Sequence, residues 1–330
     1  MLSVLTKTLV NLFPKRTLMK LGERYLAGHS LEEGLATIEE YYGRGIYSSL
    51  DIVGEAAETN EEAEEYVESY IEALKRINRI LPGTGKRYTS PVSVSVKPSS
   101  ICVVFPFDDD FLTHPETRLQ PQLEKIVTVA QGYGIPVTID MEDHRCTSPT
   151  LDTAQEFWKK GRNNTGIVLQ SSLYRSSKDI QEKLVDQDYT FSIQDIGVRL
   201  CLGIYREPKE IAERKKIKAK QMLLERAKEL LDAGVYLESA THDPQVVRQI
   251  EELVKDLPRV RREFQFLKGV RIAEEQIIPN LLEKGERVRI YMPIELKEGR
   301  AYPYMCRRLK ESPQMVWLAA RDRMRQNPKP

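Results

Sequence analysis

Eight short runs rich in β-branched residues recur along this chain, separated by longer stretches of helical periodicity, and no other feature narrows the possible folds as much. The runs lie at 48–55 (SSLDIVGE), 91–98 (PVSVSVKP), 135–142 (IPVTIDME), 165–172 (TGIVLQSS), 196–203 (IGVRLCLG), 234–241 (GVYLESAT), 264–269 (FQFLKG) and 287–293 (RVRIYMP). Between them, segments such as 60–77 carry apolar residues on one helix face, with Ala63, Val67, Ile71 and Leu74 at i, i+4, i+8 and i+11. Strands alternating with helices predict repeated βα units and a parallel sheet. Eight such units close most naturally into a (β/α)8 barrel. We therefore expect a helical region at 1–45 and one barrel domain at 46–330, because no Pro/Gly/Ser-rich linker or low-complexity segment divides the chain.

Composition excludes several classes of function. The formal net charge is +1, which gives no general attraction to nucleic acid, and no such partner is expected. Cys102, Cys146, Cys201 and Cys306 are widely spaced without a CxxC, and the four histidines are scattered. That pattern argues against a metal site or redox dithiol and for a reducing, cytoplasmic setting. The apolar N-terminus MLSVLTKTLVNLFPKR is interrupted by Lys7 and too short to span a bilayer. It reads as an amphipathic helix, for which ordinary packing is the expectation and a membrane-surface contact the alternative. GTGKR (83–87) resembles a phosphate loop but has Arg87 where Ser or Thr should follow the lysine, so it is expected to make a turn. No GxGxxG follows any strand, which leaves no Rossmann-type dinucleotide site and places any cofactor on the barrel itself.

Barrels of this type do chemistry at the C-terminal ends of their strands, so those ends are the informative residues. Lys97 closes the second run, Asp140 and Glu142 the third, and Gln170 the fourth. Arg199 and Tyr205 bracket the end of the fifth, Thr241 and His242 follow the sixth, and Tyr291 sits in the eighth. Any one alone reads as a mouth residue satisfied by a salt bridge or water. Together they line one concave surface whose acids, cations and phenols suit a small zwitterion beside a polar cofactor. CRRLKES (306–312) adds Arg307 and Arg308 side by side in a helical pattern. Neighbouring side chains on a helix diverge by about 100°, so both could reach one anion only if that helix lay across a pocket.

The ordered blocks SVSVKPSS, VTIDMED, GIVLQSSLYR, VRLCLGIYREPKE, ATHDP, REFQFLKGVR and YPYMCRRLKE make most of the chain resemble the proline dehydrogenase family. The resemblance implies a distorted (β/α)8 TIM barrel with an N-terminal helical extension and a last helix capping the mouth. It implies non-covalent FAD and the oxidation of L-proline to 1-pyrroline-5-carboxylate, with hydride passing from C5 to flavin N5 and electrons leaving to a membrane quinone. By matched position, Arg307, Arg308 and Lys97 would grip the proline carboxylate through charge-assisted hydrogen bonds. Glu311 would hold the arginines, Tyr205, Tyr291 and Leu267 would pack around the pyrrolidine ring, and Asp140 would orient or partly neutralise Lys97. On the flavin side the resemblance places Arg199 beside the isoalloxazine, Gln170 as a hydrogen-bond partner of the ring, and Cys201 among the cofactor contacts. Thr241 and His242 would serve the rest of the dinucleotide, and Gly203 would allow close backbone approach.

Two residues depart from the family pattern: Leu202 stands where lysine is usual and Ile204 where alanine is usual. The first removes a polar cofactor contact, and the second adds bulk at the substrate floor. The resemblance further implies a peripheral contact at the inner face of the cytoplasmic membrane. It also implies a separate pyrroline-5-carboxylate dehydrogenase, since the chain is too short to carry the aldehyde dehydrogenase of bifunctional relatives. Two alternatives stay open. Hydroxyproline oxidation is one, although the family's hydroxyproline branch has a smaller residue where this chain keeps Tyr291. The other is a flavin-free aldolase-like lyase or ligand-binding barrel, in which Lys97 would be the Schiff-base residue.

Overall fold

All eight expected runs form strands: β1 (Tyr47–Ile52), β2 (Val92–Val96), β3 (Val137–Ile139), β4 (Thr165–Gln170), β5 (Gly197–Cys201), β6 (Tyr236–Ala240), β7 (Arg262–Leu267) and β8 (Val288–Ile294). They pair in chain order, every pair parallel, and β8 closes on β1. The fold is a (β/α)8 barrel. It is seen in a computed structural model that describes residues 15–54, 56–103, 115–205 and 207–311, the side chains of Arg307, Lys310 and Glu311 excepted. The helix expected at the extreme N-terminus lies mostly outside the described residues.

The period-two alternation of the strands explains the interior. In β2, Val92, Val94 and Val96 join the apolar core, while Ser93, Ser95 and Lys97 alternate with them onto the other face. In β7 and β8, Phe264, Phe266, Ile290 and Met292 enter that core, whereas Glu263, Gln265, Arg289 and Tyr291 form polar contacts across the barrel. Several strands stop short of the expected ends, since the chain leaves the ladder to build the mouth. After β2, Pro98 has no N–H to give a neighbouring strand and opens the short helix Pro98–Ile101.

Helix starts follow local chemistry. Thr59 Oγ1 accepts the Glu62 N–H at 3.2 Å to open Asn60–Ile80, and Asp243 accepts the Gln245 and Val246 N–H groups to open Pro244–Val254. Ahead of β1, the helix Leu31–Gly43 buries Leu31, Leu35 and Ile38 in the same core as Ile46 and Leu50, so it packs as part of the barrel wall. The last described helix, Ala301–Glu311, sets Tyr304, Met305 and Leu309 in a smaller apolar cluster with Leu18, Tyr25, Leu26, Val53 and Leu267. Gly22 permits that crossing, because a Cβ there would come within 2.5 Å of Met305 Sδ. The helix therefore lies over the strand ends and caps the mouth. At the opposite end the GTGKR segment is indeed a turn, with Gly85 at φ +74° and its N–H bonded to Gly134 O at 3.0 Å.

Candidate active site

The strand ends and the capping helix enclose a cavity of about 470 Å³. Lys97, Asp140, Arg199, Cys201, Gly203, Tyr205, Thr241, His242, Leu267, Tyr291 and Arg308 line it together with Leu202 and Ile204. Gln170 lies just behind the wall, and the side chains of Arg307 and Glu311 lie outside what the structure describes. Residues from seven strands or their following loops and from one helix thus meet at one place.

At one end of the cavity three oxygens of described residues surround Lys97. Its Nζ lies 2.6 Å from Asp51 Oδ1, 3.1 Å from Tyr291 Oη and 3.8 Å from Asp140 Oδ2. Among the described residues Asp51 is thus its nearest counter-ion, a residue that sequence reasoning missed. The expected first run reached residue 55 and left Asp51 in mid-strand, whereas β1 stops at Ile52 and puts Asp51 at the strand end. Burial raises the Asp51 carboxyl above the usual carboxylate range, and the Lys97 ammonium opposes that shift. Asp140 is engaged chiefly elsewhere, accepting from Arg199 Nη1 and from Tyr291 Oη, each at 2.6 Å. Tyr291 donates to Asp140, and burial beside two carboxylates keeps its phenol protonated far above the usual range.

Arg199 runs across the barrel beneath this group. Besides Asp140 it donates through Nε to Gln265 Oε1 at 2.6 Å and through Nη2 to Ser95 Oγ at 2.8 Å, and its guanidinium lies 5.2 Å from the Tyr291 ring centroid. Gln265 is another functional candidate that sequence reasoning passed over. Its signal was the same polar alternation that singled out Lys97, here hidden inside FQFLKG.

The far end of the cavity fits a flat heterocycle. Gln170 donates from Nε2 to Glu142 O at 2.6 Å, while its buried Oε1 has no hydrogen-bond partner among the described residues. Gly203, at φ +100°, leaves that oxygen uncovered, because a Cβ there would come within 2.6 Å of it. An unsatisfied buried acceptor behind a glycine gap matches a ring N–H such as an isoalloxazine carries. Cys201 borders the same end as a neutral thiol, pushed up to about 11 by burial. The residues present therefore fit a flavin: Gln170 and Gly203 would hold the ring edge, with Met141, Val168 and Leu202 as apolar walls. Among the described residues no cluster of three or more His, Cys, Asp or Glu side chains could hold a metal ion.

His242 is neutral. Its Nε2 accepts the Leu267 N–H at 2.9 Å, which leaves the proton on Nδ1, and burial with the Arg308 charge lowers its pKa to about 4. The unfolded chain protonates this histidine near 6.5 and the folded chain only near 4, so its contribution to stability is complete above pH 6.5 and declines as pH falls towards 4. The loss approaches about 3 kcal/mol. Denaturant unfolding at pH 7 and pH 4.5 should show that difference in the wild type and a smaller one in His242→Gln; equal pH dependence in the two proteins would contradict it.

The sequence profile of the proline dehydrogenase family matches residues 34–316. Proline dehydrogenase of Deinococcus radiodurans is 28% identical over 318 residues, covering 94% of this chain and 93% of its own length. Proline dehydrogenase 1 of Bacillus subtilis strain 168 is 28% identical over 312 residues, covering 93% and 92% respectively. Among solved structures, proline utilization A (PutA) from Bdellovibrio bacteriovorus, inactivated by N-propargylglycine, superposes with a TM-score of 0.78 at 22% identity. The match covers 92% of this chain but 34% of that longer one, and at this identity it speaks for the barrel fold.

Proposed function

The chain belongs to the proline dehydrogenase family, an oxidoreductase family, and from that premise we propose that it oxidises L-proline to 1-pyrroline-5-carboxylate with FAD and delivers the electrons to a membrane quinone. The observation that carries this reading is one cavity wall on which Lys97, from a strand end, and Arg308, from the capping helix, stand beside Leu267 and the Tyr291 ring. Two cations suit a carboxylate and an apolar wall suits the methylenes of a pyrrolidine. Bound at the far end of the cavity, FAD would supply the two-electron acceptor for the oxidation. Gln170, Arg199, Cys201, Gly203, Thr241 and His242 are assigned to it, and Tyr205 and Asp140 to the substrate side. Arg307 and Glu311 are assigned with Arg308 to the carboxylate clamp. The barrel at 46–330 is taken as the catalytic domain and 1–45 as its extension.

The residues of the chain orient the substrate and leave proton removal to solvent. Proline arrives with a protonated nitrogen, which must lose that proton before its lone pair can form the C=N bond as hydride leaves C5. Lys97, paired with Asp51 at 2.6 Å, is an ammonium and cannot take it, and Asp140 is committed to Arg199 and Tyr291. The same ion pair speaks against a Schiff-base lyase, which needs the neutral amine. The proposed contact with the quinone-bearing membrane is peripheral, at the inner face of the cytoplasmic membrane; no described helix is long and apolar enough to cross a membrane. A separate pyrroline-5-carboxylate dehydrogenase is proposed as the consumer of the product.

The test is the visible spectrum of the purified protein after addition of FAD, followed by anaerobic L-proline. Flavin bands that bleach, with the cyclic imine trapped as product, are expected; a protein still colourless after FAD would overturn the reading in favour of a flavin-free barrel. On substrate choice, a phenol ring against C4 leaves little room for a hydroxyl. Proline should exceed trans-4-hydroxyproline in kcat/KM by about tenfold or more, ~1.4 kcal/mol. Tyr291→Ser should narrow the ratio, mainly by weakening proline, because it also releases the hydroxyl that bridges Lys97 and Asp140. Equal efficiencies in the wild type, or a ratio unmoved by the substitution, would remove Tyr291 from specificity.

A further inference from the structure

Below the candidate site the barrel is filled by charge. Arg87, from the phosphate-loop lookalike, enters from the closed end and is 5% exposed. Its Nη1 donates to Glu238 Oε1 at 2.9 Å and Thr138 Oγ1 at 3.0 Å, and its Nη2 donates to Val137 O at 2.9 Å and Asn164 O at 3.1 Å. Glycine is required at 166 and 197 to admit it, since a Cβ at either position would collide with the Arg87 side chain. Beside it Arg289, 1% exposed, donates to Glu263 Oε1 at 2.7 Å. Two ion pairs are thus buried at the floor, an arrangement whose desolvation makes it a weak means of stabilisation by itself. That calls for another explanation of why it is there.

Gln265 provides one. Its Nε2 donates to Glu238 Oε2 at 2.7 Å and Glu263 Oε1 at 2.6 Å, while its Oε1 accepts from Arg199 Nε at 2.6 Å. The two carboxylates fix the direction of the amide, since the flipped form would aim its oxygen at both of them and its NH2 group at the guanidinium. Glu238 Oε2 also lies 3.9 Å from Arg199 Nε, so its charge acts on Arg199 directly. From floor to site the order is Arg87, Glu238, Gln265, Arg199.

We propose that Glu238 and Gln265, anchored by the floor arginines, are positioning residues that set how much positive charge Arg199 presents to the cofactor, and hence the reduction potential of the bound flavin. This rests on the reading above that Arg199 lies beside the flavin ring. A negative charge behind Arg199 offsets part of its stabilisation of a reduced, anionic ring, and removing that charge must make reduction easier.

The test is the midpoint potential of the flavin-loaded protein. Glu238→Gln keeps the shape and removes the charge, and should favour the reduced over the oxidised cofactor by about tenfold, which for a two-electron couple is ~30 mV upward. The KM for proline should stay within about twofold while kcat changes, because the cofactor and not the carboxylate clamp is affected. Arg87→Lys keeps the floor charge but loses most of its hydrogen bonds, so it should lower the Tm and leave the potential where it was. If Glu238→Gln does not fold, the double variant Glu238→Gln, Arg87→Met, which removes both ends of the buried pair and leaves neither charge alone, should show an upward shift too, because the carboxylate is the nearer of the two charges to Arg199. A wild-type potential in whichever of these two variants loads flavin overturns the inference, as does a potential that merely follows Tm across the set. A wild-type protein that takes up no flavin overturns the functional reading and the inference with it. One that binds flavin and oxidises proline while the variants keep its potential overturns the inference alone.

Discussion

Replacing Arg308 or Lys97 with methionine is expected to raise the KM for proline about ten- to one-hundredfold while flavin stays bound. Each cation would be one end of a charge-assisted contact to a carboxylate inside a partly closed cavity, an interaction worth about 1.5–3 kcal/mol. The two variants should differ in one respect. Arg308 stands on the capping helix, 5.2 Å from the Tyr304 ring centroid, and its loss removes a cation from the cavity rim. Lys97 is the counter-ion of a fully buried Asp51, so Lys97→Met also leaves a buried carboxylate without its ammonium, which protonation of Asp51 only partly relieves. Lys97→Met should therefore lower Tm further than Arg308→Met does, while both weaken proline. Steady-state kinetics, flavin stoichiometry and thermal unfolding separate these cases. An unchanged KM in both variants would make the two cations ordinary mouth residues and withdraw the clamp.

Arg199→Met is expected to do the greatest damage to the folded state, about 3–5 kcal/mol, because it removes one partner from a buried pair. Asp140 would be left with the Tyr291 hydroxyl and a lysine at 3.8 Å, and Gln265 Oε1 would lose its donor. The flavin retained should fall in amount or in reduction potential, since the positive charge beside the ring would be gone. Denaturant unfolding measures the first effect and absorbance with redox titration the second. Asp140→Asn in the same chain should recover part of the lost stability, because it removes the carboxylate that Arg199 compensated. Stability within about 1 kcal/mol of wild type, together with unaltered flavin, would show that Arg199 serves neither purpose.

Much of the candidate site could be read before any fold was known, for a reason visible at Lys97. It ends a run in which valine and serine alternate, so period two alone places it on the same face as Ser93 and Ser95, and chain order alone places it at a strand's C-terminal end. The same reasoning reached Asp140, Gln170, Arg199 and Tyr291. It failed at Asp51, because β1 stops three residues earlier than its β-branched run predicts, and at Glu238 and Gln265, which look like the middles of strands.

What the amino-acid order determined by itself is the kind and succession of elements: eight strands, amphipathic helices between them, and a polar residue at most strand ends. These are local properties, because each strand's two faces meet different surroundings and the alternation must be written into neighbouring residues. What only the tertiary structure decided is partnership. Lys97 takes Asp51 before Asp140, although β1 and β3 both flank β2, because Arg199 and Tyr291 already hold Asp140. Arg87, in a turn without periodic signal, becomes the floor of the barrel and meets Glu238 at a separation of 151 residues. The helix bearing Arg308 lies over the mouth because its apolar face finds Leu18, Tyr25 and Leu267 there. Such pairings arise from closure and stagger of the whole barrel, which bring together residues whose local sequences carry no mark of one another.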